Sequence, residues 1–139
     1  MIKAGTAAFI ATSTNGRYEP ERVIEAVHAS GIRGALGRQV MDMTGYASST
    51  NAVPPVLAED KDASLKSFKE LHRRWNGRDG RIWIWLSPRT PGACSDQLFS
   101  EMASFLEEFD AGLTMHLAEI RTDAAYFRSR GTIPGGGCS

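Results

Sequence analysis

Four times along this chain a short apolar run without helical period is followed by turn residues and then by a segment whose apolar residues recur every three or four positions. That alternation constrains the fold more than any other feature. Parallel strands need a crossover long enough to carry a helix, so strands alternating with amphipathic helices imply an α/β fold with a parallel sheet. GTAAFIAT (5–12) is the first strand, and in ERVIEAVHASG the residues Val23, Ile24 and Val27 form the first helical stripe, with Pro20 at its start and Gly31 as its cap. IRGALGRQVMDM (32–43) is the second strand. SLKSFKELHRRW puts Leu65, Phe68, Leu71, His72 and Trp75 on one stripe, and Asn76 with Gly77 ends it. RIWIWLS (81–87), closed by Pro88, is the third strand, and Ser95 or Asp96 caps DQLFSEMASFLEEF, whose apolar face is Leu98, Met102, Phe105, Leu106 and Phe109. GLTMHLA (112–118) reads as a fourth strand, and RTDAAYFRSR as a short helix opened by Thr122 or Asp123.

Ligands of such folds sit at the carboxyl ends of the strands. The segments to watch are therefore 12–18, 42–58, 87–94 and 116–121. The longest connection, 44–63, has no periodicity of its own and reads as a functional loop. Sixteen basic residues balance sixteen acidic ones, so charge argues for neither nucleic acid nor a membrane surface as partner. No apolar stretch approaches the roughly 20 residues of a membrane span, and residues 1–16 lack the order of a signal peptide, so the expectation is cytoplasmic. Cys94 and Cys138 form no disulfide framework.

Histidine and glutamate three residues apart, His116 and Glu119, stand where the fourth strand ends. Side chains alternate along a strand, so the two share a site only if one lies past its end. The arrangement that works has His116 pointing inward and Glu119 in the exit turn. From spacing alone a satisfied core histidine and a solvated carboxylate is the commoner arrangement. Arg89, in SPRTPGACS, either holds a substrate carbonyl or carboxylate or is a solvent-facing loop arginine, and Asp42 either faces the same site or accepts loop hydrogen bonds. His28 and His72 fall within helical patterns and read as surface or packing residues. Cys94 has no histidine near it in sequence to make it a nucleophile, and the glycines form no phosphate cradle.

The stretches GTAAFIAT, HASGIRGALGRQVMDM, SPRTPGACS and especially LTMHLAE resemble successive strand ends of the metal-dependent amidohydrolases, in the branch of cytosine deaminase, guanine deaminase and the triazine hydrolases. The resemblance runs from residue 1 to about residue 128, and its force lies in the order of the motifs. It implies a (β/α)8 barrel of which this chain supplies strands two to five. It also implies a divalent metal, zinc or iron, with His116 as a ligand and Glu119 as the proton shuttle. The implied reaction is hydrolysis of a non-peptide C–N bond in a small cyclic nitrogen-containing substrate. The family's His-x-His pair, its strand-six histidine and its strand-eight aspartate have no counterpart here. Because a catalytic zinc normally has about three protein ligands, the expectation is an incomplete, inactive chain. Its barrel part is 1–130, and 131–139 is a flexible Gly-rich tail. Met1 falls inside the helix before strand two, and the pattern is lost after Arg130.

Four strands leave two open sheet edges. Homo-oligomerisation would cover them; alternatively the sheet flattens into an open sandwich that buries Trp83 and Trp85 between helices. A non-catalytic α/β module, binding a small molecule or a protein through its loops or an edge, is the competing functional class.

Overall fold

The computed structural model describes residues 1–44, 55–117 and Arg128. Within them three strands alternate with three helices: β1 (Ala8–Thr14), α1 (Pro20–Ser30), β2 (Arg33–Val40), α2 (Lys61–Trp75), β3 (Ile82–Pro88) and α3 (Asp96–Phe109). Short 3-10 turns occupy several of the connections, including Gly16–Tyr18, Pro55–Leu57 and Pro91–Ala93. The sequence order of strands is also their spatial order, β1-β2-β3, and both pairings are parallel. Pro20 opens α1 and Gly31 closes it; Ser95 accepts from Leu98 N at the start of α3. One boundary differs from expectation. Helix α2 begins at Lys61, a turn before Ser64, because Asp60 caps it by accepting from Ala63 N at 2.8 Å.

The register separates the two faces of the sheet. Phe9 and Ala11 stand opposite Gly34 and Leu36, which stand opposite Ile82 and Ile84. These rows, with Val40 and Leu86, meet Ile24 of α1, Leu65, Phe68, Leu71 and Trp75 of α2, and Leu98 and Met102 of α3 in one core cluster. All three helices therefore cover the same face, as right-handed crossovers between consecutive neighbours require. The other face carries the row Ile10, Ala35 and Trp83, in which Ile10 is 57% and Trp83 36% exposed. The open sandwich with both tryptophans buried is thus not formed. A singly wound arc, as in part of a (β/α)8 barrel, leaves its inner face without helices.

The fourth strand is a second correction. Residues 112–117 form no ladder of their own; Leu113 makes a single parallel bridge with Leu86. Leu86 N donates to Gly112 O and Thr114 N to Leu86 O, each at 3.0 Å. The next rung would need an N–H at residue 88, and Pro88 has none. The apolar run of GLTMHLA is genuine, but its partner strand runs out of donors. The expected helix after it, apart from Arg128, lies outside the described residues, as do 45–54 and the tail. Among the described residues no helix is long and apolar enough to cross a membrane.

His28 and His72 behave as packing and surface histidines. His28 Nε2 lies 2.7 Å from Asp79 Oδ2, with its ring edge-on to Trp75. His72 is buried between Phe68 and Phe109, at ring separations of 5.5 and 5.3 Å. Burial lowers the His72 pKa below its ordinary 6.5, so the unfolded chain takes up the proton first. The stability this neutral imidazole contributes is complete above about pH 6.5 and is lost as pH falls through that value toward the folded pKa. Thermal unfolding followed from pH 7.5 to 5 is expected to show this fall, and His72→Leu to flatten it. The lowered carboxyls of Glu21 and Asp79 act only at more acid pH.

Candidate functional site

The carboxyl ends of the strands are held in register by a buried ion pair that sequence reading overlooked. Arg38, in the middle of β2 with its side chain 2% exposed, points to the helix side and forks onto Glu59, with Nη1–Oε1 at 3.1 Å and Nη2–Oε2 at 2.5 Å. Its Nε also donates to Ser67 Oγ at 3.2 Å, and Nη1 to the carbonyl of Gln39. Glu59 Oε1 in turn accepts from Gly16 N at 3.1 Å. Removing an ion from water costs several kcal/mol, offset here by a two-pronged geometry with further hydrogen bonds on both partners. The available signal was an arginine among the apolar helix-facing positions Gly34, Leu36 and Val40 of the strand, where it demands a buried partner.

That pair ties the exit of β1 to the approach of α2. β1 carries a register shift between Ala11 and Thr14, and Asn15 beyond it is buried. Asn15 Nδ2 donates to Leu57 O at 3.1 Å, while its Oδ1 accepts from Arg17 N at 3.0 Å. A bulge of this kind re-aims the strand end.

At the exit of β3, Arg89 N donates to Val40 O, so the loop 89–95 folds over the end of β2. Asp42 secures the far end of this loop. Its Oδ1 accepts from Ser95 N at 2.8 Å and its Oδ2 from Ser95 Oγ at 2.6 Å. Of the two roles open to Asp42, the hydrogen-bonding one is occupied. Cys94 is buried beneath the loop with Sγ 3.4 Å from Val40 O, and burial pushes its thiol up to about 12. A thiol so protonated is no nucleophile.

The inner face carries the remaining candidates. Gly37 has no room for a side chain: a Cβ there would lie 2.7 Å from Ala11 O, 2.8 Å from Ser87 Cβ and 3.0 Å from Thr114 Cγ2. Thr114 therefore belongs to the inner layer, and His116 follows it by two residues. Gly112 is equally constrained, since a Cβ would fall 2.3 Å from the indole of Trp85. His116 is partly buried, and among the described residues its buried Nδ1 has no hydrogen-bond partner. The same holds for Arg89 Nη1, Thr90 Oγ1 and Gln39 Nε2. An imidazole nitrogen left unpaired in this way fits a metal ligand. Among the described residues, however, no three His, Cys, Asp or Glu side chains gather to hold an ion. Glu119 lies outside the described residues, so its distance from His116 is not part of this geometry.

Comparison with known proteins follows this division. The profile of the Amidohydrolase family matches residues 1–135. A 5-methylthioadenosine/S-adenosylhomocysteine deaminase of Desulforudis audaxviator is 31% identical over 124 residues, covering 88% of this chain and 25% of that protein. A guanine deaminase from C. acetobutylicum with bound guanine superposes with a TM-score of 0.76 at 22% identity, over 94% of this chain and 29% of that one. An adenosine deaminase from Xanthomonas campestris with bound zinc gives 0.74 at 18% identity, over 95% and 27%. The structural likeness shows the fold. The chain spans about a quarter of the length of the curated relatives it matches.

Replacing Asp42 by alanine removes both acceptors of Ser95 and loosens the loop carrying Arg89. Hydrogen bonds to a charged group contribute about 1.5–3 kcal/mol. Asp42→Ala is expected to lower the unfolding free energy by about 2 kcal/mol in urea titration, and an unchanged midpoint would contradict the anchoring role.

Proposed function

Because this chain belongs to the amidohydrolase family, we propose that its strand-end rim is part of the active site of a metal-dependent hydrolase of non-peptide C–N bonds in small cyclic nitrogen-containing substrates. The observation that carries this reading is His116: a partly buried imidazole three residues beyond the bridge of Leu113 to the sheet, whose Nδ1 has no partner among the described residues. The deaminase relatives support the reaction class.

In this reading His116 would be one ligand of a divalent ion, zinc or iron. Such an ion supplies a water whose pKa falls from about 15.7 toward 7. Glu119 would take a proton from the attacking water at its carboxylate and return it to the departing nitrogen, so that the water oxygen would bond to the ring carbon as the C–N bond breaks and ammonia or an amine leaves. Arg89 donates from Nη1 to an acceptor on the substrate. Asp42 serves indirectly, through the Ser95 bonds that hold the 89–95 loop in place. The setting is cytoplasmic.

One imidazole is short of the roughly three protein ligands of a catalytic zinc, and the chain spans only about a quarter of its relatives. The isolated 139-residue polypeptide, supplied with zinc or iron, is expected to show no turnover of guanine or adenosine, and robust release of ammonia would contradict that. Metal content measured on purified protein tests the site itself. His116→Ala is expected to lose bound zinc or iron, whereas Glu119→Gln retains it; protein that binds neither metal, or binds it without His116, sinks the reading.

A further inference from the structure

Gln39 is the penultimate residue of β2 and 4% exposed. Its chain neighbours face the helices: Arg38 reaches Ser67 and Glu59, and Val40 enters the core. Strand alternation therefore turns Gln39 to the inner face. It stands opposite Ser87, one step nearer the carboxyl rim than the crowded layer of Gly37 and Thr114. Its main-chain carbonyl is taken by Arg38, yet its side-chain Nε2, buried, has no partner among the described residues.

A primary amide nitrogen brings two donors, and a folded chain seldom leaves a buried donor unpaired. Where such atoms occur in this protein is informative. His72 Nε2 sits in an aromatic cluster, but Gln39 Nε2, Arg89 Nη1, Thr90 Oγ1 and His116 Nδ1 all come from the carboxyl ends of β2, β3 and the bridged segment beyond them. Polar groups without partners among the described residues and drawn from these strand ends are groups that a polar ligand would satisfy. An apolar residue at 39 would fill the same space without that cost. Trp85, opposite Gly37 on this face and partly exposed, adds an aromatic surface one strand step deeper.

We propose that Gln39 is a substrate-binding residue of this rim, its Nε2 donating to a ring nitrogen or carbonyl oxygen of a planar nitrogen heterocycle. The proposal rests on the reading of the rim as a hydrolase site, but it assigns to β2 a role in holding the ring that neither His116 nor Glu119 fills.

Gln39→Met, close in size and without donors, tests it on the full chain. Thermal unfolding without ligand is expected to stay level or rise, because Nε2 has no partner to lose among the described residues; a clear fall in Tm would show a structural partner for Nε2 and overturn the proposal. Binding of guanine and of adenine, in the presence of zinc, is then measured by calorimetry for both proteins. At least a tenfold loss of affinity is expected in the variant. Loss confined to guanine makes its carbonyl the acceptor, and equal loss for both makes it a ring nitrogen. Unchanged affinity, or no binding of either base by the parent chain, overturns the proposal. Zinc content measured alongside keeps the two readings apart. Zinc held through His116 with no effect of Gln39→Met on base binding removes this inference alone, whereas Gln39-dependent binding without zinc removes the metal site alone.

Discussion

Two backbone hydrogen bonds at Leu86, one to Gly112 O and one from Thr114 N, hold the segment that carries His116 against the sheet. The placement of His116 depends on them. They fix the start of that segment in parallel register, and Pro88, having no N–H, ends the ladder one rung later. The chain is thus delivered to the carboxyl edge of β3 and released from regular pairing two residues before His116. The indole of Trp85 lies so close to Gly112 that no side chain fits there.

A clean separation of faces surrounds this point. Apolar residues on one side of β2 and β3 join all three helices in a single core, and dispersion and burial there supply the stability. The one charged intruder on that side, Arg38, is matched by Glu59, Ser67 and a main-chain carbonyl, and its partner carboxylate also holds Gly16. The pair therefore joins two strand-end loops and β2 at one point. Replacing such a pair by apolar side chains is often neutral for stability, so its value lies in where it places the loops.

The opposite face has no helix over it; Ile10 and Trp83 are exposed there, and toward its carboxyl end the buried Gln39 Nε2 has no partner among the described residues. Proteins pay for functional groups of this kind with stability drawn from elsewhere. The core beneath the helices is where this chain draws it, while Ile10 and Trp83 remain exposed on the inner side. Membership of the amidohydrolase family and a span of about a quarter of its relatives agree with that asymmetry. The inner surface and the two sheet edges are those against which further β-α units pack in a (β/α)8 barrel.

Much of this was legible in the residues themselves. The helical stripes of Val23, Ile24 and Val27 and of Leu65 to Trp75, the caps at Gly31 and Ser95, and the β-branched and aromatic run of β3 are local signals, each set by a few neighbouring side chains. So is the inert character of His72, which shares its stripe with Phe68. What misled was equally local in origin: residues 112–118 have the composition of a strand, and composition does not register that the partner lacks a donor at Pro88. Arg38 and Glu59, 21 residues apart, and Asp42 and Ser95, 53 apart, bond across the fold, so their pairing carries no periodic signature. The sequence by itself determined the alternation of strands and helices and the family, because hydrophobic period and motif order are properties of the chain. Only the tertiary structure decided which face was left without helices and which polar atoms lack a partner among the described residues, because both depend on what packs against each side chain from distant parts of the chain.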